Sequence, residues 1–378
     1  MNINITLSEA LDRASARLRK KMLHSVELLQ KAEKLALSYD AEQGYYLAFS
    51  GGKDSQALYH IAQLAGVKFR GHMNLTSVDP PEVIRFVKKN YPEVELIKPK
   101  KSIFQIAIER KILPTMRVRW CCEEYKEMAG AGKVTLIGIR KAESARRAKR
   151  NEVEISSRKF SGDLEALEAY RQEQRAKRAR RQSKKDGVNI TNADEENTLG
   201  CIHGKESLLI SPIIHWTEQD VWDFLNDVVR VKHCSLYDEG FHRIGCIVCP
   251  MSSYKQKTLE NERYPHVKRG WIRAIKKIRD RGGIQKRIYL VEHPQGLDAT
   301  AKRRRTAQNE NDCIQQPKQE PLAGFSSCSS SDRLNDEQEN EIAENIYDWW
   351  ISGKSYKQWY AEKFQQMKLD FKEETNNG

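Results

Sequence analysis

The stretch that most restricts the fold is YYLAFSGGKDSQALYHIA, residues 45–62. Six residues of strand length (45–50) run into glycines, and the segment from Asp54 to Gly66 then carries apolar residues at helical spacing. A strand that turns through glycines straight into a helix gathers free backbone N–H groups and the positive end of the helix dipole at the turn. The missing Cβ atoms of Gly51 and Gly52 let an anion approach the backbone closely. Ser50 and Ser55 add hydroxyl donors and Lys53 adds charge. Asp54 would repel a phosphate, so its expected roles are to cap the turn or to hold a magnesium ion between phosphates. The spacing is not that of the G-x-x-x-x-G-K-[ST] loop.

Beyond Gly66 the chain keeps the same rhythm. Strand-like 68–76, 94–99 and 133–139 alternate with helix-like 80–92 and 102–113. That alternation predicts an α/β fold, a doubly wound and mainly parallel sheet whose ligand loops lie at one edge. Ahead of it, apolar spacing predicts one helix over 7–38, closed at Gly44. Core-like patterning returns at 207–227, where Thr217 is placed to cap a helix with Asp220 three residues on. The expected organisation is an N-terminal helical segment (1–43) and a nucleotide-binding domain (44–255) with a charged insertion at 141–200. A basic helical segment (256–298), a polar disordered linker (299–335) and a helical C-terminal segment (336–378) complete it.

Charge narrows the partners. The chain of 378 residues has 65 Lys and Arg against 52 Asp and Glu, a net charge of +13, which suits an anionic partner. Residues 171–185 hold eight Lys or Arg and one Glu; they read either as a solvated helix or as a nucleic-acid contact that tracks the backbone. No segment has signal-peptide character or the length of a membrane span, so a cytoplasmic protein with no membrane partner is expected. In a reducing compartment the eight cysteines are more often metal ligands, catalytic thiols or small hydrophobes than disulfides. Cys246 and Cys249 form C-x-x-C, Cys121 and Cys122 are adjacent, and Cys234 lies twelve residues before Cys246. By spacing alone these thiols suit zinc or an iron–sulfur cluster. Cys201 and His203 read as bystanders.

The S-G-G-K-D-S loop resembles the pyrophosphate loop of the adenine-nucleotide alpha-hydrolase superfamily, which includes ATP pyrophosphatases and phosphoadenosine phosphosulfate (PAPS) reductases. Four further blocks resemble the PAPS reductase family in order: RWCCEEYK (119–126), LIGIRKAESARRA (136–148), LISPIIHWTEQDVWDFL (209–225) and LYDEGFHRIGCIVCP (236–250). The resemblance implies an adenine nucleotide held by residues 50–55 together with Gly138, Arg140, Ser144 and Arg147. The arginines have their own rationale, because a guanidinium fork binds phosphate in a bidentate way. It also implies a 4Fe-4S cluster on thiols drawn from Cys121, Cys122, Cys234, Cys246 and Cys249, with zinc as the alternative.

One departure stands out. The reductases attack a sulfonucleotide with a cysteine in a C-terminal motif, whereas the late cysteines here, Cys313 and Cys328, sit in low-complexity sequence that does not match it. The expected activity is therefore ATP-dependent adenylation of an acceptor such as a nucleic acid, followed by iron–sulfur-assisted sulfur transfer. In this reading Lys53 and Asp54 are catalytic, magnesium accompanies the nucleotide, and a separate protein supplies sulfur or electrons. The alternatives are a sulfonucleotide reductase that makes sulfite and an inactive nucleic-acid-binding regulator.

Overall fold

The computed structural model describes residues 3–127, 130, 132–156, 207–283, 336–355, 358–363 and 365. The basic stretch 171–185, the linker 299–335, Cys201, His203, Cys313 and Cys328 lie outside them.

The described chain divides into two units, residues 1–100 with 120–246 and residues 101–119 with 247–378. In the first, the N-terminal helix expected over 7–38 is two helices, α1 (Leu7–Arg13) and α2 (Ala16–Tyr39). The break comes at Ser15, whose side chain caps α2 by accepting from the Leu18 N–H, so its backbone is extended where a continuous helix needs helical angles. β1 (Tyr45–Ala48), α3 (Lys53–Leu64), β2 (Phe69–Asn74), α4 (Pro81–Asn90) and β3 (Glu95–Ile97) come next in the expected alternation.

β4 (Val134–Leu136) and β6 (Ser207–Ile210) extend the sheet, and the edge strand β5 (Val153–Ser156) completes it. The order is β3-β2-β1-β4-β6-β5. Every pairing is parallel except β5 with β6, which is antiparallel. β5 was not foreseen because its residues sit at the head of a charged stretch with little alternation.

A core of Leu18, Met22, Leu29, Leu47, Ile61, Leu136 and Ile210, all buried, packs the helices onto the sheet. Strands 1, 2 and 4 run parallel, so the segments that leave their C-terminal ends share one edge. Residues 50–55, 75–80 and 137–140 are those segments.

The second unit is helical. α5 (Ile103–Arg110), read from sequence as part of the sheet domain, packs on the helix Pro265–Asp280, where Phe104 lies edge-on to Trp271 with ring centres 5.0 Å apart. Trp350, on the helix Asp336–Ser352, packs against Trp271 with ring centres 4.9 Å apart and planes tilted by 55°, and donates its indole N–H to the Pro114 carbonyl at 2.6 Å.

Candidate active site

The turn from β1 to α3 is built as the sequence suggests. Gly51 has φ +73°, and a Cβ there would sit 2.7 Å from Val83 and 2.9 Å from Val87, so only glycine fits beneath α4. Gly138 is needed for a different reason: a Cβ would lie 2.9 Å from the Asp54 carbonyl oxygen, so its absence lets the strand end approach the loop. Gly52 caps α3 without a side-chain bond. The Ser55 hydroxyl donates to the Gly52 carbonyl at 2.8 Å and accepts from the Ser50 N–H at 3.2 Å, which pins both ends of the turn.

Two side chains reach in from distant segments. Tyr237 accepts the Lys53 backbone N–H at 2.9 Å, and burial pushes its phenol pKa up, which keeps it a neutral partner. Arg140, almost fully buried, donates through Nε to Asp54 Oδ1 at 2.6 Å. The N-cap is Gly52 rather than Asp54; Asp54 instead orients one of the two arginines expected to meet phosphate. Its other oxygen lies 3.9 Å from the Lys53 ammonium. Lys53 is itself buried, and its ammonium also lies 3.3 Å from both the His242 carbonyl and a Glu218 carboxylate oxygen.

The second arginine, Arg147, lies in the short helix Ala145–Ala148, where Ser144 caps by accepting the Arg147 N–H at 3.2 Å. Arg147 pairs with Glu143. Burial, helped by nearby Arg243, pulls its pKa below the usual guanidinium value.

Beside the loop opens a cavity of about 270 Å³, whose lining includes Ser50, Tyr46, His72, Asn74, Asp79 and Lys126. Tyr46 and His72 stack face to face, ring centres 4.0 Å apart and planes within 4°. Asn74 donates to the Tyr46 hydroxyl at 3.0 Å. Burial lowers the His72 pKa, which favours the neutral ring.

Lys126 joins this cavity to the cysteines. Its ammonium lies 3.4 Å from Cys246 Sγ, and the electrostatic pull of Cys246, then of Asp79 and Cys122, raises its pKa. Cys121, Cys122 and Cys246, in the first unit, are partly exposed and in no disulfide. Accessible thiols near an ammonium fit a thiolate-held metal or iron–sulfur cluster.

Cys249, also partly exposed and in no disulfide, lies in the second unit. There Val248 adopts φ +56°, a left-handed conformation that costs a β-branched residue free energy. Its N–H donates to the buried Glu260 carboxylate at 2.6 Å, and Gln256 donates to the other oxygen at 2.9 Å. Glu260 thus holds the C-x-x-C turn; a lone acidic residue eleven positions beyond Cys249 gave no sequence signal.

Cys234 is different. It is buried among core hydrophobics and burial pushes its thiol pKa up, the environment of an inert structural thiol.

Residues 44–252 match the phosphoadenosine phosphosulfate reductase domain family, and the chain belongs to that family. Among curated relatives, an uncharacterised protein of Methanocaldococcus jannaschii is 26% identical over 246 residues, 61% of this chain and 47% of that one. An adenosine 5'-phosphosulfate reductase of Bacillus pumilus is 30% identical over 105 residues, 28% of this chain and 38% of that one. The matched regions thus span less than half of these relatives. The solved phosphoadenylyl-sulfate (PAPS) reductase of Candida auris, in a phosphate complex, is similar over 62% of this chain and 96% of that one, at 13% identity and a TM-score of 0.35. Among the described residues, no helix is long and apolar enough to cross a membrane.

Proposed function

We propose that this chain is an enzyme that binds an adenine nucleotide in the cavity beside residues 50–55 and carries out sulfur chemistry on it. One observation carries the reading: Ser50 of the anion-binding turn and Lys126, whose ammonium touches Cys246, line the same cavity. A nucleotide held there has its phosphates at the turn and a thiol within one side chain's length.

In detail, the backbone N–H groups of the turn, the Ser50 hydroxyl and the Lys53 ammonium hold the phosphates of ATP, together with Arg147 and an Arg140 fixed by Asp54. Asp54 Oδ2 is the oxygen open to a magnesium ion. The Tyr46–His72 stack offers a flat, neutral wall to the base. An acceptor oxygen attacks the α-phosphate, pyrophosphate leaves, and a sulfur nucleophile then displaces the adenylate. Lys53 and Arg140 neutralise the charge that develops on the phosphates, so positioning and electrostatics carry the catalysis.

Cys121, Cys122 and Cys246 in the first unit, and Cys249 in the second, are each suited to ligate iron of a 4Fe-4S cluster, with zinc as the alternative, and a cytoplasmic, reducing setting suits such thiols. When bound, that group would supply a site for sulfur or electron chemistry. The net charge of +13 suits a polyanionic acceptor such as a nucleic acid, approached through residues 171–185 and served by a separate sulfur or electron donor protein.

The second reading, a sulfonucleotide reductase that releases sulfite, is favoured by the name of the Bacillus pumilus relative. Turnover separates the two. Release of pyrophosphate from ATP in the presence of acceptor supports adenylation, and sulfite released from adenylylsulfate or PAPS supports reduction. Asp54→Asn abolishes either activity; a binding module would keep its function without that carboxylate.

A further inference from the structure

A second group of metal-ligating side chains lies in the first unit, and none of its members is a cysteine. His24 on α2, Glu152 at the start of β5 and His215 after β6 converge so that one donor atom from each lies within 4.8 Å of the others. His24 Nε2 is 2.6 Å and His215 Nε2 3.0 Å from the same Glu152 oxygen, Oε1. The two imidazole planes are inclined at 61° with ring centres 6.1 Å apart, so the rings approach the carboxylate without stacking on each other.

The backbone that carries them is locked. Ser25, next to His24, donates its hydroxyl to the Pro212 carbonyl at 2.7 Å and accepts the Trp216 indole N–H at 3.1 Å. Trp216 is next to His215, and all three of these residues are buried. The Ser211 N–H donates to the Glu152 carbonyl at 2.8 Å. Each member of the triad therefore sits on a rigid anchor, while the imidazoles themselves are about half exposed and open to an entering ion.

The short contacts of both imidazoles to one carboxylate oxygen serve as hydrogen bonds when no ion is bound, and the same three donor atoms lie close enough together to share one ion. We propose that His24, Glu152 and His215 bind a first-row transition dication, zinc by preference, with at least one coordination position left for water or an anion. Two imidazoles and one carboxylate are the donor set of open zinc sites, and a hard ion such as magnesium would favour more oxygens. Lys141 is the cation that opposes the ion from nearest His215, and the Glu152 carboxylate offsets it. Lys141 also donates its backbone N–H to the Ile214 carbonyl at 2.8 Å, one residue from Arg140 and one from His215. The site is thus tied to the nucleotide-facing strand end, though metal binding there requires no nucleotide.

Cobalt is the test probe, added to the full chain purified without oxygen. An N/O-ligated cobalt(II) gives a visible d–d band with no thiolate-to-cobalt charge transfer in the near ultraviolet, which separates this site from any cysteine-held ion. The expected result is a saturable d–d band that zinc displaces, that Cys121→Ser leaves in place, and that His24→Asn, His215→Asn and Glu152→Gln each weaken at least about tenfold. The two asparagine changes are at half-exposed positions and keep the fold, as circular dichroism checks. A chain that shows no such band, shows only the thiolate signature, or keeps the band unchanged in all three variants overturns the proposal.

Discussion

His60 makes the stability of the first unit depend on pH in a way that can be worked out. It is fully buried on α3, and burial lowers its pKa from 6.5 to about 4. Tyr91 accepts a hydrogen bond from the Gln56 amide at 2.8 Å, so its own hydroxyl proton is free to go to His60 Nε2 at 2.9 Å, while the His60 Nδ1–H donates to Gln63 at 2.8 Å. The ring is therefore held neutral. Above pH 6.5 it is neutral in both folded and unfolded chains and contributes no pH dependence. Below 6.5 the unfolded chain takes up a proton that the folded chain refuses, so stability drains away until about pH 4, where the folded ring protonates too.

At about 1.4 kcal/mol per pH unit, the interval from 6.5 to about 4 withdraws about 3 kcal/mol. Urea titrations read by amide exchange of α3 peptides, in the parent and in His60→Leu, measure it. The variant is less stable at neutral pH because Tyr91 and Gln63 lose their partner. The decisive quantity is the slope: between pH 6.5 and 4 the parent should lose about 3 kcal/mol more than the variant. Parallel curves would refute the buried, neutral ring.

Substitutions at three further positions test the site. Arg140→Ala should weaken adenine-nucleotide binding by about 2 kcal/mol in calorimetry, the usual cost of a lost charge-assisted hydrogen bond, and Arg140→Lys should not restore it, because an ammonium lacks the guanidinium fork. Gly51→Ala forces a Cβ into Val83 and Val87 at φ +73°, so thermal unfolding should show a loss of about 1–3 kcal/mol; a melting curve like the parent's contradicts the packing described. Glu260→Gln removes the carboxylate that holds Val248 in its strained conformation and should lower metal retention about tenfold, read as iron and zinc per chain after dialysis.

Much of this was legible in the sequence because its signals are local. The strand–glycine–helix turn needs only the identities of residues 45–62, and the parallel sheet follows from alternation alone. The long-range contacts were not legible. Nothing near Asp54 in the chain points to Arg140, which arrives from 86 residues away, and Lys126 meets Cys246 across 120. Tyr237 read as part of a family block, yet its hydroxyl on the Lys53 N–H is a tertiary contact. Cys234, which spacing grouped with the other thiols, differs from them in its burial, a property that spacing does not report. The triad of His24, Glu152 and His215 escaped because its members are spread over three segments with no spacing rule to join them.

The most direct test of the account is calorimetric titration of anaerobically purified chain with ATP and magnesium, adenylylsulfate, PAPS and GTP, repeated with Lys53→Ala. The account predicts saturable binding of an adenine nucleotide, discrimination against GTP, and loss of that binding without the Lys53 ammonium. Binding that does not distinguish adenine from guanine, or that persists unchanged in Lys53→Ala, would contradict it.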